Sequence, residues 1–136
     1  MAKLVASWSK DMSTQVGAVI VRPDVTVAST GFNGFPQRMQ DNAAWYEDRN
    51  EKYSRILHAE INALLFAREQ VTGYFMYSYP FLPCERCAVQ IIQAGISRVI
   101  SPITPIEKQE RWSNAFAKAE AYFSECGVEY TAIRMA

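Results

Sequence analysis

One histidine, two cysteines and one glutamate stand in a pattern that can do chemistry: His58-Ala59-Glu60, then Pro83-Cys84-Glu85-Arg86-Cys87. His58 is the only histidine of the chain, and beyond Cys84 and Cys87 only Cys126 remains as a cysteine. One imidazole and two thiolates are three zinc ligands, one short of a tetrahedral shell. A shell that leaves its fourth position to water is the catalytic kind rather than the structural kind. Glu60, two residues after the histidine, is placed to handle that water's protons. The blander readings are a redox Cys-x-x-Cys pair or half of a four-ligand structural site. The second would need Cys126 or a carboxylate as its fourth ligand. The coincidence of a sole His, x-Glu, Pro-Cys and x-x-Cys favours the open catalytic site.

Such a constellation needs elements that aim it. Cys84 and Cys87 are three apart and share one face of the first turn of a helix. Pro83 is tolerated at a helix start, where backbone N–H groups lack intrahelical partners. The partial positive charge there also favours the thiolates a metal needs. His58 and Glu60 would not face each other in mid-helix, but they converge at a helix start with His58 at the mouth. The spacing therefore predicts two helix N-termini pointing at one metal ion.

The length of 136 residues predicts a single domain with room for a proper core. No apolar run is long enough to cross a bilayer. The start of the chain lacks the apolar stretch and cleavage site of a secretory signal. With two cysteines given to metal no disulfide framework remains, as expected in a reducing cytoplasm. Acidic and basic residues balance at fourteen each. A nucleic-acid binder usually carries a basic excess, so a small-molecule substrate is expected, with no nucleic acid and no membrane as partner.

Along the chain, residues 3–10 read as a short helix, with Leu4, Val5 and Trp8 at helical spacing. Residues 16–21 form a continuous apolar run, as in a strand covered on both faces. Arg22-Pro23-Asp24 marks a turn, and residues 25–32 read as a second, antiparallel strand. Gly31-Phe32-Asn33-Gly34 has two readings: an Asn-Gly hairpin turn, or a glycine-flanked loop that approaches a ligand with Asn33 bonded to it. Residues 37–57 are polar and helical, with Asp48/Lys52 and Glu51/Arg55 four apart as on a solvated face. Residues 59–66 are apolar nearly all round, a helix buried in the core, with Asn62 a satisfied core polar group. Residues 74–79 form an aromatic third strand, and the second metal helix ends at Gly95. Residues 96–101 form a fourth strand, and Pro102 and Pro105 mark a loop. Residues 107–125 form an amphipathic helix with Trp112, Phe116, Ala119 and Phe123 on one stripe. Residues 128–133 alternate as a fifth strand. Cys126 reads as a small buried hydrophobe. The order of elements is α/β, with the later, helix-linked strands parallel and both metal helices on one face of the sheet.

These residues resemble the zinc-dependent cytidine and deoxycytidylate deaminases, whose signature is H-x-E followed by P-C-x-x-C. The carriers of the resemblance span nearly the whole chain. They are Ser9-Lys10-Asp11 before Gln15 to Val21, Gly31-Phe32-Asn33-Gly34 with Pro36, residues 58–63, residues 83–87, and Ile91 to Ile96. The resemblance implies a three-layer α/β/α fold: a five-stranded mixed sheet with helices on both faces. It implies one catalytic Zn2+ on His58, Cys84 and Cys87, with Glu60 as the catalytic base and then acid. The implied reaction is hydrolysis of dCMP to dUMP and ammonia, supplying thymidylate synthesis. It also implies a homo-hexamer, activation by dCTP and inhibition by dTTP (with Mg2+ on the triphosphate), and nucleotide contacts at Gly31, Phe32, Asn33 and Gly34. The compact length resembles phage and bacterial members, which places the enzyme in the host cytoplasm if phage-encoded. A second, structural zinc carried by some phage relatives is not expected here. The 5′-phosphate calls for cations, arginine best of all. Arg22, Arg38, Arg49, Arg55 and Arg68 are the candidates, and the sequence does not choose among them. Tyr79 and Phe81 read either as core aromatics or as rings that stack on the base. Rival readings are a tRNA-type base deaminase with the same metal motif and, in a different class, a non-catalytic structural-zinc interaction module.

Overall fold

The computed structural model describes residues 1–103 and 106–135, with side chains throughout except over 106–112. Five strands form one sheet: β1 (Gly17–Val21), β2 (Val27–Phe32), β3 (Phe75–Tyr79), β4 (Arg98–Pro102) and β5 (Glu129–Ile133). Their order is β2-β1-β3-β4-β5. β1 runs antiparallel to β2 and β3, whereas β3, β4 and β5 are parallel. This is the expected five-stranded mixed sheet. Parallel neighbours need crossovers, and helices α5 (Glu85–Ala94) and α6 (Ile106–Glu125) supply them. The other helices are α1 (Ala2–Ala6), α2 (Ala43–Glu47), α3 (Arg49–Arg55) and α4 (Ala59–Phe66).

β1 is buried along its whole length, because helices cover both of its faces. Ala18 and Ile20 point into the main core with Met76, Val99, Ala63, Ala88, Ile91, Phe116 and Phe123. Val19 and Val21 point the other way and pack with Val5 of α1. Helices thus occupy both faces, α4 to α6 on one and α1 on the other. Among the described residues no helix is long and apolar enough to cross a membrane.

Several local expectations are corrected. The first helix ends at Ala6, and of its anticipated stripe Leu4 and Trp8 are exposed while only Val5 is buried. The second strand starts at Val27, because Val25 takes a positive φ of 72° in a turn whose amide bonds Arg22. α4 is not buried all round: Leu65 is 64% exposed and Phe66 also faces outward. Pro102 belongs to β4, paired with Ile133 at the last position of the strand, beyond the reach of the pairing with β3. Cys126 is exposed rather than buried. Asp48 does not pair with Lys52. It caps α3 instead, accepting from the amides of Asn50 and Glu51. The Glu51–Arg55 pair does form, at 2.8 Å. The expectations for Pro105 and for the Trp112 side chain fall outside the described residues.

Candidate active site

Two helix starts meet. His58 is the N-cap of α4 and Cys84 the N-cap of α5, and neither side chain is spent on its own helix. Both residues are extended, with ψ of 152° and 171°, so each side chain stands at the helix mouth. Cys87 follows in the first turn of α5, fully buried, and Pro83 precedes the cap in the core. Glu60 sits in the first turn of α4, 3% exposed.

α4 reaches this place through its closeness to β2. A Cβ on Gly31 would overlap the backbone at Ala59 and Ala63. Ala59 and Ala63 are themselves wholly buried, so small residues on both sides set the distance. Ser29 Oγ adds a hydrogen bond to the Ala63 carbonyl at 2.7 Å. Asn62 Nδ2 ties the helix to the Phe32 carbonyl at 2.8 Å.

His58 Nδ1 lies 3.2 Å from Cys87 Sγ and 3.6 Å from Cys84 Sγ. The three ligand atoms fall within 4.8 Å of one another. Zinc bonds of about 2.3 Å to sulfur and about 2.0 Å to nitrogen put tetrahedral N and S ligands roughly 3.5 Å apart. The donor set fits zinc in type and spacing. Among the described residues no fourth His, Cys, Asp or Glu joins the cluster. The electrostatics favour a thiolate at Cys84. Hydrogen bonding from Cys87, then from His58, lowers the Cys84 thiol to about 4 although burial opposes it. Cys87, bonded to Cys84 and buried, is pushed far up in turn. Within this pair Cys84 ionises first, and its charge holds the proton on Cys87. The Cys84 hydrogen bond raises His58 against its burial. Burial raises Glu60 above the ordinary carboxylate range, while its own backbone amide and the charge of His58 pull the other way.

A cavity of about 210 Å³ opens on these groups. His58, Cys84, Glu60, Asn33, Phe81 and Lys52 are among the residues that line it. Phe81 packs 5.5 Å from Phe116, also on the wall, so it is at once core and cavity. Tyr79 lines a different cleft, beyond β1 and β4.

Of the glycine-flanked segment, the structure brings only Asn33 to this cavity. Its Oδ1 accepts from the Val16 amide at 2.9 Å, and its Nδ2 donates to the Thr14 carbonyl at 2.8 Å and to Asp11 at 3.4 Å. Gly31 faces α4, Phe32 meets Trp8 edge to face, and Gly34 bridges to Leu57. No hairpin turns there.

None of the five arginines lines this cavity. Arg22 is engaged by Glu69, and Arg38 and Arg68 line a separate cleft with Leu65 and Phe66. Arg55 lies 3.9 Å above the Trp45 ring. Arg49 lines an adjoining cavity, over Tyr53. The described cation on the wall is Lys52, which sequence reasoning placed on a solvated face. The only available signal was Asp11 in the Ser9-Lys10-Asp11 run, and its partner was not legible.

Comparison with known proteins agrees with the geometry. Residues 1–102 match the family model for the cytidine and deoxycytidylate deaminase zinc-binding region. An uncharacterized deaminase encoded in the luxG 3′ region of Aliivibrio fischeri is 45% identical over 131 residues, spanning 96% of this chain and 87% of that protein. Mouse deoxycytidylate deaminase is 41% identical over 106 residues. That match covers 74% of this chain and 59% of the mouse enzyme, so the chain spans under two thirds of that relative. Among solved structures, dCMP deaminase of the cyanophage S-TIM5 in complex with dCMP and dUMP superposes with a TM-score of 0.77 at 25% identity, over 97% of this chain and 90% of that one. The chain belongs to the cytidine and deoxycytidylate deaminase family, a zinc-binding family of enzymes.

Proposed function

We propose that this chain is a dCMP deaminase, one domain over residues 1–136, converting dCMP and water to dUMP and ammonia. The observation that carries it is the convergence of His58, Cys84 and Cys87 beside a buried carboxylate, Glu60, in one cavity. The choice of dCMP draws on the relatives: the mouse protein is a deoxycytidylate deaminase, and the cyanophage enzyme was solved with dCMP and dUMP.

In this reading His58, Cys84 and Cys87 hold the zinc. A bound zinc supplies a water acidified to a pKa of about 7. Glu60 takes a proton from the attacking water and places it on N3 of cytosine. As the water oxygen bonds C4, Glu60 takes the second proton from that oxygen and passes it to the exocyclic amino group, which leaves as ammonia while the C4 carbonyl forms. One carboxylate serves first as base and then as acid, and its burial suits a group that must carry a proton part of the time. Asn33, Thr14 and Val16 line the same cavity as Glu60 and Lys52. Phe81 offers a ring to the base.

The hexamer, activation by dCTP with Mg2+, inhibition by dTTP and a cytoplasmic location rest on the family resemblance. Light scattering and titration of the assay with each nucleotide test the first three.

The deciding experiment measures ammonia release from dCMP, dCTP, deoxycytidine and a tRNA anticodon stem by the zinc-loaded protein. Turnover of dCMP above the others is expected. Preference for the tRNA stem, or no release from any of them, sinks the reading. Cys87→Ser should lose zinc and activity together, as metal analysis of the purified variant would show. Full activity in a zinc-free Cys87→Ser protein would remove the metal from the mechanism.

A further inference from the structure

The cavity that holds His58, Cys84 and Glu60 has a second pole, where Lys52 lines the wall beside Asp11, Ser13 and Thr14. A lysine ammonium has three donors. Here two are used, on Asp11 Oδ2 at 2.6 Å and on Ser13 Oγ at 2.9 Å. No partner for the third exists among the described residues. Lys52 is only 18% exposed at its side chain, so that donor has the cavity to serve.

Asp11 offsets the charge of Lys52 but leaves its third N–H free to donate. The Asp11 side chain is 2% exposed, and its carboxylate accepts the Ser13 amide at 3.0 Å, the Ser13 hydroxyl at 2.8 Å and Asn33 Nδ2 at 3.4 Å, besides Lys52. With its oxygens occupied, Asp11 serves as a bracket that fixes the ammonium in one place. A cation held in position loses less freedom on meeting an anion than a mobile one. The other nearby cations lack that bracket. Lys10 is bonded to Asp41 with its side chain 67% exposed, and Arg49 lies over the Tyr53 ring.

The space beyond also fits. An adjoining cavity of about 480 Å³ shares Asp11, Ser13, Lys52 and Tyr53 with the first. A substrate whose base lies at Glu60 and whose tail points away from the metal ligands passes Lys52 on leaving the inner cavity.

We propose that Lys52, braced by Asp11, is the residue that makes this site prefer a nucleoside monophosphate over the neutral nucleoside, by donating its third N–H to the anionic tail. The proposal rests on the base-deaminase reading above. It assigns to a lysine on α3 the task for which the sequence offered five arginines.

The test compares kcat/KM for dCMP and for deoxycytidine in the wild-type, Lys52→Met and Lys52→Arg proteins, with zinc content measured on each. In Lys52→Met the dCMP-to-deoxycytidine ratio should fall roughly 10- to 100-fold, the loss of one charge-assisted hydrogen bond. The fall should appear in KM for dCMP, and Lys52→Arg should restore most of it. Equal losses on both substrates in zinc-replete protein would make Lys52 a structural residue and overturn the proposal. An unchanged ratio overturns it too. If Lys52→Met does not fold, lysine acylation of wild-type protein, mapped by mass spectrometry, decides instead. dCMP should slow modification of Lys52 more than deoxycytidine does, and equal slowing rejects the assignment. A wild-type protein that deaminates neither substrate removes the deaminase reading. In that case protection of Lys52 by dCMP still supports the anion pole, and its absence overturns that as well.

Discussion

Asp11 and Glu60 line the same cavity, 1% and 3% exposed, yet their surroundings push them in opposite directions. For Asp11 burial alone would favour the neutral acid. The hydrogen bond from Lys52, those from the Ser13 hydroxyl and amide, and the charge of Lys52 together outweigh it and hold the group below its ordinary value of 3.8. For Glu60 burial is the largest influence and is not outweighed, so the group is raised above 4.5. One carboxylate is kept ionised by four donors. The other, with few donors, is left able to take a proton. A pair of acids pushed apart by their environments is how one pocket obtains both a fixed anion and a proton carrier. Both are closed off from the surface, but Glu60 is enclosed more deeply as well as meeting fewer donors, so depth and partners together set the difference.

Removing the acid of each in turn tests that contrast, and the largest effect belongs to Glu60. Glu60→Gln should lower turnover of dCMP by roughly 10²- to 10⁴-fold, the range for a lost general acid–base group. Its zinc content and urea midpoint should stay near wild type. Activity within a few-fold of wild type would erase the distinction between the two acids.

Asp11→Asn should act chiefly on stability. It leaves Lys52 without its anion, and breaking a buried pair from one side costs roughly 3–5 kcal/mol. The partial exposure of Lys52 places this case at or below the lower end. Urea unfolding followed by circular dichroism measures it. A midpoint that falls no further than that of Glu60→Gln would show that the bracket holds nothing.

The smallest effect is in pH. A carboxylate with a depressed folded-state value contributes stability that is fully present above its unfolded value, 3.8 here, and lost as pH falls through the lower folded value. The stability gap between wild type and Asp11→Asn should therefore be constant near neutrality and narrow below about pH 4. Unfolding curves at pH 7, 5 and 3 check it, and a gap that widens in acid contradicts the ion pair.

Much of the catalytic end was legible because its determinants are local. Three-residue spacing in Cys84-x-x-Cys87 puts both sulfurs at one helix start, and His58 as an N-cap needs only the residues around it. The same holds for the turn at Arg22 to Val25 and for the C-cap at Gly95, whose φ of 94° needs no side chain. Exposure was less legible. Leu65 and Cys126 look like core residues by type, but only the packed positions of α4 and of the turn before β5 show that they face out.

The chain itself therefore determined the His58, Cys84 and Cys87 cluster, the carboxylate of Glu60 beside it, the α/β order and the two helix mouths, because spacing and capping are properties of short segments. The tertiary structure decided what stands opposite them. Residues 11, 33 and 52 are far apart in sequence and meet only because β2 pairs with β1 and Lys52 of α3 reaches the loop that precedes β1. Gly31 became a contact surface for α4 for the same reason. Which lysine finds which aspartate depends on the distance between folded segments, and a solvated helix face with Asp48 four residues from Lys52 carries no trace of it.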